Sequence, residues 1–211
     1  MKQILVYADS LSWGIIPMTR KRFDFNDRWP GVLENQLCLS GKHARVIEDC
    51  LNGRRTMYED PIKPGRNGLI GLAQRIELNS PLALVIVMLG TNDFQFNHNH
   101  DASDAAHGIT QLIETIRSAP VEPGMPIPNV SIVVAPSINK PKGDIAAKFK
   151  NAEQKCVGLA DAYKKVCKDM NCLFFDAGLV TTSSLVDGVH LDLDQHVLLG
   201  KALSSFIVAN L

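Results

Sequence analysis

The stretch Leu84-Val85-Ile86-Val87-Met88-Leu89, followed at once by Gly90-Thr91-Asn92-Asp93, decides how the rest of the chain is read. Six apolar residues run without alternation, and then small and polar residues take over. A strand with one wet face alternates. A continuous apolar run of this length suits a strand covered on both faces, as in a parallel sheet with helices on either side. Ile132–Ala135 (IVVA) has the same character, within the run Val130–Ala135. Shorter apolar runs fall at Ile4–Tyr7, Arg45–Cys50 and Leu173–Asp176, so five strands are expected.

Helical patterns fill the gaps. Pro30 opens a segment with Leu33 and Leu37 four apart, closed by Gly41. Leu69, Leu72, Ala73 and Ile76 form a second apolar stripe, and Ile109, Leu112, Ile113 and Ile116 a third. A Lys-rich segment without proline, Asp144 to Met170, reads as one long helical region, and Gln195 to Asn210 as the last helix. Val121–Pro128, with three prolines in eight residues, reads as a loop. Strand and helix in alternation predict an α/β fold of three layers, α/β/α, with right-handed crossovers, in one domain spanning residues 1–211.

Composition narrows the partners. Lys plus Arg number 22 and Asp plus Glu number 22, which supplies no field for nucleic acid or an anionic membrane. No apolar run approaches the roughly 20 residues of a membrane helix. The run Ile4–Tyr7 is too short for a signal-peptide core, so the chain reads as cytoplasmic; a leader absent from it would place the protein in the periplasm or outside the cell. The five cysteines include no CxxC pair and read as mostly buried free thiols.

Ligands of parallel α/β sheets bind beyond the carboxyl ends of the strands. There the chain places Ala8-Asp9-Ser10-Leu11, Asn52-Gly53, Gly90-Thr91-Asn92-Asp93 and, past a loop, Asp187-Gly188-Val189-His190. A serine hydroxyl needs a base to become a nucleophile, and His190 qualifies. Asp187, three residues earlier, is one tight turn from the other ring nitrogen. A developing oxyanion needs donors, and the backbone N–H groups of Ser10 and Gly53 with the Asn92 amide come from three strand ends. Asp9 and Asp93 read as braces of their turns.

In order, these four stretches resemble the four blocks of the SGNH (GDSL-type) hydrolases, over residues 8 to 190. The resemblance implies a flavodoxin-like sheet of order 2-1-3-4-5, a Ser10–Asp187–His190 triad, an oxyanion hole of Ser10, Gly53 and Asn92, and no cofactor. Leu11-Ser12-Trp13-Gly14, Arg28-Trp29 and Phe174-Phe175-Asp176-Ala177-Gly178 look most like the arylesterase and acyltransferase branch. Ala8 departs from the pattern, standing where the family has Gly; a positive φ there would strain it by roughly 1 kcal/mol.

Other residues compete for roles. His196, four residues from Asp192, is a rival base, but its place in the last helical pattern reads as a solvated or capping histidine. His98, His100 and His107 with Asp101 and Asp104 fit a polar loop over the site better than a metal centre. Trp13 and Trp29 either line the substrate cleft or pack. Lys140, Lys142, Lys148 and Lys150 read as a solvated face. The expected activity is hydrolysis of small esters with short acyl chains through an acyl-enzyme, with transfer to alcohols as an extension. Carbohydrate deacetylase, thioesterase or lysophospholipase, and a non-catalytic small-ligand binder remain as alternatives.

Overall fold

The computed structural model describes residues 1–210. Five strands form one parallel sheet: β1 (Lys2–Ala8), β2 (Ala44–Cys50), β3 (Leu84–Met88), β4 (Asn129–Val134) and β5 (Leu173–Asp176), in the order β2-β1-β3-β4-β5. The reading of Leu84–Leu89 holds: all five residues of β3 are buried. β1 pairs with β2 from Lys2↔Ala44 to Ala8↔Cys50 and with β3 from Ile4↔Leu84 to Ala8↔Met88. Ala8 is thus the last residue of a strand paired on both sides. It is fully buried and takes no positive φ, so the methyl group replacing the family's hydrogen carries no backbone strain.

The helices are α1 (Ser10–Trp13), α2 (Trp29–Leu39), α3 (Leu72–Asn79), α4 (Ala102–Arg117), α5 (Ala152–Lys155), α6 (Leu159–Asp169) and α7 (Leu193–Asn210). Pro30 sits in the first turn of α2, where its missing N–H has no intrahelical partner to lose. α2 packs on α7, and α4 packs on both α3 and α6, giving the three layers around the sheet. The core joins Leu5, Val85 and Val133 of the sheet to Leu33, Ile76, Ile113 and Leu203 of the helices. Burying a side chain of this size contributes about 1.5–3 kcal/mol.

The segment 144–170 departs from the expected continuous helix. Asn151 (φ 63) and Gly158 (φ 84) take left-handed conformations and split it into a 3₁₀ turn at Gly143–Ile145, the single turn α5, and α6. Phe149, Ala152, Cys156 and Leu159 keep the spacing of one helical stripe and are all buried, so the apolar pattern is read correctly while the backbone between them is interrupted. The five cysteines are free, but only Cys156 and Cys167 are buried; Cys50 and Cys172 are half-buried and Cys38 is exposed.

Candidate active site

β1 ends at Ala8, and the chain turns into α1 at Ser10. The turn is set by Asp9, whose Oδ1 accepts from Leu11 N–H at 2.9 Å while its carbonyl accepts from Trp13 N–H. These bonds use the first amides of α1 except that of Ser10, which donates to no group among the described residues. After β2, Gly53 adopts φ +85, and its N–H is likewise undirected among the described residues. After β3, the 3₁₀ turn Thr91–Phe94 carries Asn92 inward. Its Nδ2 donates to Asp9 Oδ2 at 2.9 Å and to the Arg54 carbonyl at 3.1 Å, and its Oδ1 accepts from Gln95 Nε2 at 2.7 Å.

The fourth piece arrives past β5. Asp187 Oδ1 accepts from the N–H groups of Val189 and His190, each at 2.9 Å, which curls the chain into one tight turn. Gly188 makes the turn feasible: it sits at φ +85, and a Cβ there would lie 2.4 Å from the Lys140 carbonyl oxygen. Asp187 Oδ2 then accepts from His190 Nδ1 at 2.7 Å, and His190 Nε2 accepts from Ser10 Oγ at 3.3 Å. Ser10 and His190 are 7% exposed and Asp187 2%, so the serine and the imidazole both reach the surface while the carboxylate is covered.

Electrostatics follow from this burial. Burial alone would raise the Asp187 carboxyl, but the His190 bond and charge, with the two backbone N–H groups, hold it below the ordinary carboxylate value. An ionised Asp187 keeps the Nδ1–H tautomer, leaving Nε2 free to take the serine proton. Burial pushes Asp9 up to about 6, against the Leu11 N–H, the His190 charge and the Asn92 amide. Asp93 rises to about 7 for the same reason, opposed by the Thr56 hydroxyl and N–H. Both brace the site through the hydrogen bonds they accept. Asp93 accepts from Thr56 Oγ1 at 2.6 Å and from its N–H at 3.0 Å, tying the loop after β3 to the loop after β2.

Four stretches far apart in sequence thus meet at one sheet edge, but two residues land elsewhere than expected. Trp29 is fully buried, and its Nε1 donates to Ser12 Oγ at 3.1 Å; it belongs to the core and lines no cleft. His196 is neither solvated nor a cap. It is fully buried, its Nδ1 accepts from Trp29 N–H at 3.3 Å, and Phe23 packs edge-on against it. Asp192 does not pair with it, since its Oδ1 accepts from Ser184 Oγ. Burial first, then the Arg28 and His190 charges, push His196 down to about 3.

Trp13 is half-buried under the Arg22 guanidinium, in an open depression of about 530 Å³ that Glu48, Arg54 and Arg75 also line. Asp101 and Asp104 form the capping box of α4, His100 stacks between Tyr58 and His98, and His107 is exposed. Among the described residues, no group of three or more His, Cys, Asp or Glu is placed to hold a metal ion, and no helix is long and apolar enough to cross a membrane.

Three residues escaped the sequence reading. Arg54 donates to the Ala8 carbonyl at 3.1 Å and pairs with Asp49 at 2.6 Å, pinning the Gly53 loop to the end of β1. Arg55 and Gln95 lie buried behind Asn92, bonded at 2.7 Å. The one signal was two adjacent arginines directly after Gly53, where a solvent loop would hold them less firmly.

A doubly wound parallel sheet with a hydroxyl, an imidazole and a carboxylate in line at its carboxyl edge defines a serine hydrolase architecture. Residues 9–197 match the GDSL-like lipase/acylhydrolase family, and the chain belongs to it. It is a carboxylic ester hydrolase of the SGNH fold. Among solved structures, an aryl esterase of M. smegmatis is similar over 100% of both chains, at 34% identity and a TM-score of 0.94. A putative arylesterase from Agrobacterium tumefaciens shares 38% identity over 100% of both chains, with a TM-score of 0.91. A carbohydrate acetylesterase from Sinorhizobium meliloti shares 28%, again over 100% of both, with a TM-score of 0.94. No curated protein sequence matches the chain.

Proposed function

We propose that this chain hydrolyses small esters with short acyl chains through an acyl-serine at Ser10. The observation that carries the reading is the unbroken line Ser10 Oγ, His190, Asp187, at 3.3 and 2.7 Å. Ser10 Oγ attacks the ester carbonyl as its proton passes to His190 Nε2, and Asp187 stabilises the imidazolium. The carbonyl oxygen gains negative charge beside the N–H groups of Ser10 and Gly53 and the Asn92 amide. Asn92 shares with it one of the hydrogens now directed at Asp9 and Arg54. Collapse of the intermediate expels the alcohol, which takes the proton from His190. Water then attacks the acyl-enzyme by the same route in reverse order, and the acid leaves. The chemistry uses no cofactor or metal.

Short acyl chains are supported by the cavity at His190. It measures about 110 Å³ and is walled by Ile15, Met18, Thr19, Arg20, Asp144 and Ile145. Sites for drug-sized ligands run to roughly 300–1,000 Å³, so the space beside the imidazole suits a substrate group of a few atoms and not a lipid or long thioester chain. Arg20, Thr19 and Asp144 on the same wall favour a second reading, removal of acetyl groups from carbohydrate, whose hydroxyls such side chains can bind. An acyl-enzyme also permits transfer to an added alcohol.

The test combines labelling with substrate choice. An organophosphonate should add its mass to Ser10, and Ser10→Ala should abolish turnover, with kcat lowered about 10⁶-fold. An adduct on another serine would refute the assignment. Across aryl esters of two to ten acyl carbons, kcat/KM should peak at the short end. Acetylated sugars tested in parallel separate the two readings.

A further inference from the structure

An asparagine amide can face two ways, and oxyanion donation works in only one of them. Asn92 presents Oδ1 to Gln95 Nε2 at 2.7 Å and turns Nδ2 toward Asp9 Oδ2 and the Arg54 carbonyl. Gln95 is an amide with the same ambiguity. Its Oε1 accepts from Arg55 Nη2 at 2.7 Å, and that nitrogen lies 3.3 Å from Asp60 Oδ2. Arg55 and Gln95 are fully buried, and Asp60 and Asn92 are 3% exposed.

The direction of this row is not a matter of choice. A guanidinium has donors only. Gln95 must therefore face Arg55 with Oε1, which leaves Nε2 for Asn92. Asn92 must then face Gln95 with Oδ1, which turns its NH2 to the side of Asp9 Oδ2 and the Arg54 carbonyl, where the oxyanion would share one of its hydrogens. Asp60 holds the far end: its Oδ1 accepts from the N–H groups of Ile62 and Lys63, and its Oδ2 remains for Arg55. Local geometry brings the pair together, because residues three apart are eclipsed on a 3₁₀ turn, and Asn92 lies within the turn Thr91–Phe94 while Gln95 caps its end. Hydrogen bonds in a row polarise one another, so a donor on Oδ1 strengthens the donors on Nδ2.

We infer that Gln95, aimed by the buried Arg55–Asp60 pair, is a positioning residue that orients and polarises the Asn92 amide for the developing oxyanion. This rests on Asn92 acting as an oxyanion donor. A residue that merely braces the loop would affect stability and activity without regard to what stands at position 92.

A double-mutant cycle tests it. Gln95→Glu still accepts from Arg55, but its carboxylate cannot donate to Asn92 Oδ1 and sets two acceptors face to face. Its kcat should fall by about tenfold, the scale of one lost hydrogen bond in the transition state, with KM changed less than about twofold. In an Asn92→Ala background the same substitution should change kcat by less than about twofold. Gln95→Met, of similar length and lacking the amide, should follow the same pattern and serves if the glutamate variant does not fold. Equal losses in both backgrounds would overturn the inference. So would wild-type kcat in Gln95→Glu alongside a damaged Asn92→Ala. Wild-type kcat in Asn92→Ala would instead remove the oxyanion reading, and the positioning role with it.

Discussion

The buried His196 should contribute a loss of stability in mild acid, by an amount that can be worked out in advance and read against a variant lacking it. Its folded value lies near 3, where burial keeps the ring neutral, against an ordinary value of 6.5 in an unfolded chain. Between those values the unfolded chain binds a proton that the folded protein refuses, so stability falls as pH is lowered through 6.5 and keeps falling toward 3. Each unit of pH inside that window costs about 1.4 kcal/mol. Relative to pH 7.5, the loss from this one side chain is about 2 kcal/mol at pH 5, and the full span of 3.5 units corresponds to about 5 kcal/mol. Asp9 and Asp93 act in the opposite sense. Their folded values are raised to about 6 and about 7, so the folded state binds the extra proton and their contribution declines as pH rises through that range. The comparison must therefore be differential. His196→Asn places Oδ1 where Nδ1 now accepts from Trp29 N–H, and it does not titrate. It should be less stable than wild type at pH 7.5, because the Phe23 contact and some volume are lost. The gap should narrow by about 2 kcal/mol by pH 5, read from urea unfolding midpoints at matched m-values. A gap unchanged between pH 7.5 and pH 5 would show that His196 titrates normally, and the argument from its burial would fail.

The remaining predictions concern the reaction. His190→Ala should cost kcat on the scale of Ser10→Ala, while His196→Asn at pH 7.5 should stay within a few-fold of wild type; steady-state kinetics would expose the reverse ranking, which contradicts the proposed base. Asn92→Ala should lower kcat by about 10²–10³ with little change in KM, and Asn92→Asp should be worse, since a carboxylate offers no donor and repels the oxyanion. Retention of most activity by the aspartate variant would sink that role. Gly188→Ala should lose most activity, because its Cβ would meet the Lys140 carbonyl and the φ of +85 is unfavourable for alanine, opening the Asp187–His190 turn; full activity would show that the turn tolerates rearrangement. With a short-chain alcohol added, donor esters sharing one acyl group should give the same ratio of new ester to acid whatever their leaving group. A ratio that varies with the leaving group would exclude a common acyl-enzyme.

The sequence by itself determined the sheet and the edge at which chemistry happens. Continuous apolar runs such as Leu84–Leu89 can be buried only between two layers, and a parallel strand must deliver its following residues to the carboxyl edge. That is why Ser10, Gly53 and Asn92 could be expected at one edge, each standing just past a strand. Local pattern says which face a residue occupies and says nothing about what lies against that face. His196 occupies a helix whose neighbours, Trp29 and Phe23, come from more than 160 residues away in the chain, and their packing alone turned a residue read as solvated into core. Trp29 followed it inward. The break of 144–170 at Asn151 and Gly158 was not legible either, because helix propensity amounts to a few tenths of a kcal/mol per residue and is too weak to impose a continuous helix. Arg55 and Gln95 stand 40 positions apart and carry no motif. Only tertiary structure could set a guanidinium behind an amide, and there the donor-only chemistry of arginine, together with the acceptors Asp9 Oδ2 and the Arg54 carbonyl, sets which way Asn92 points.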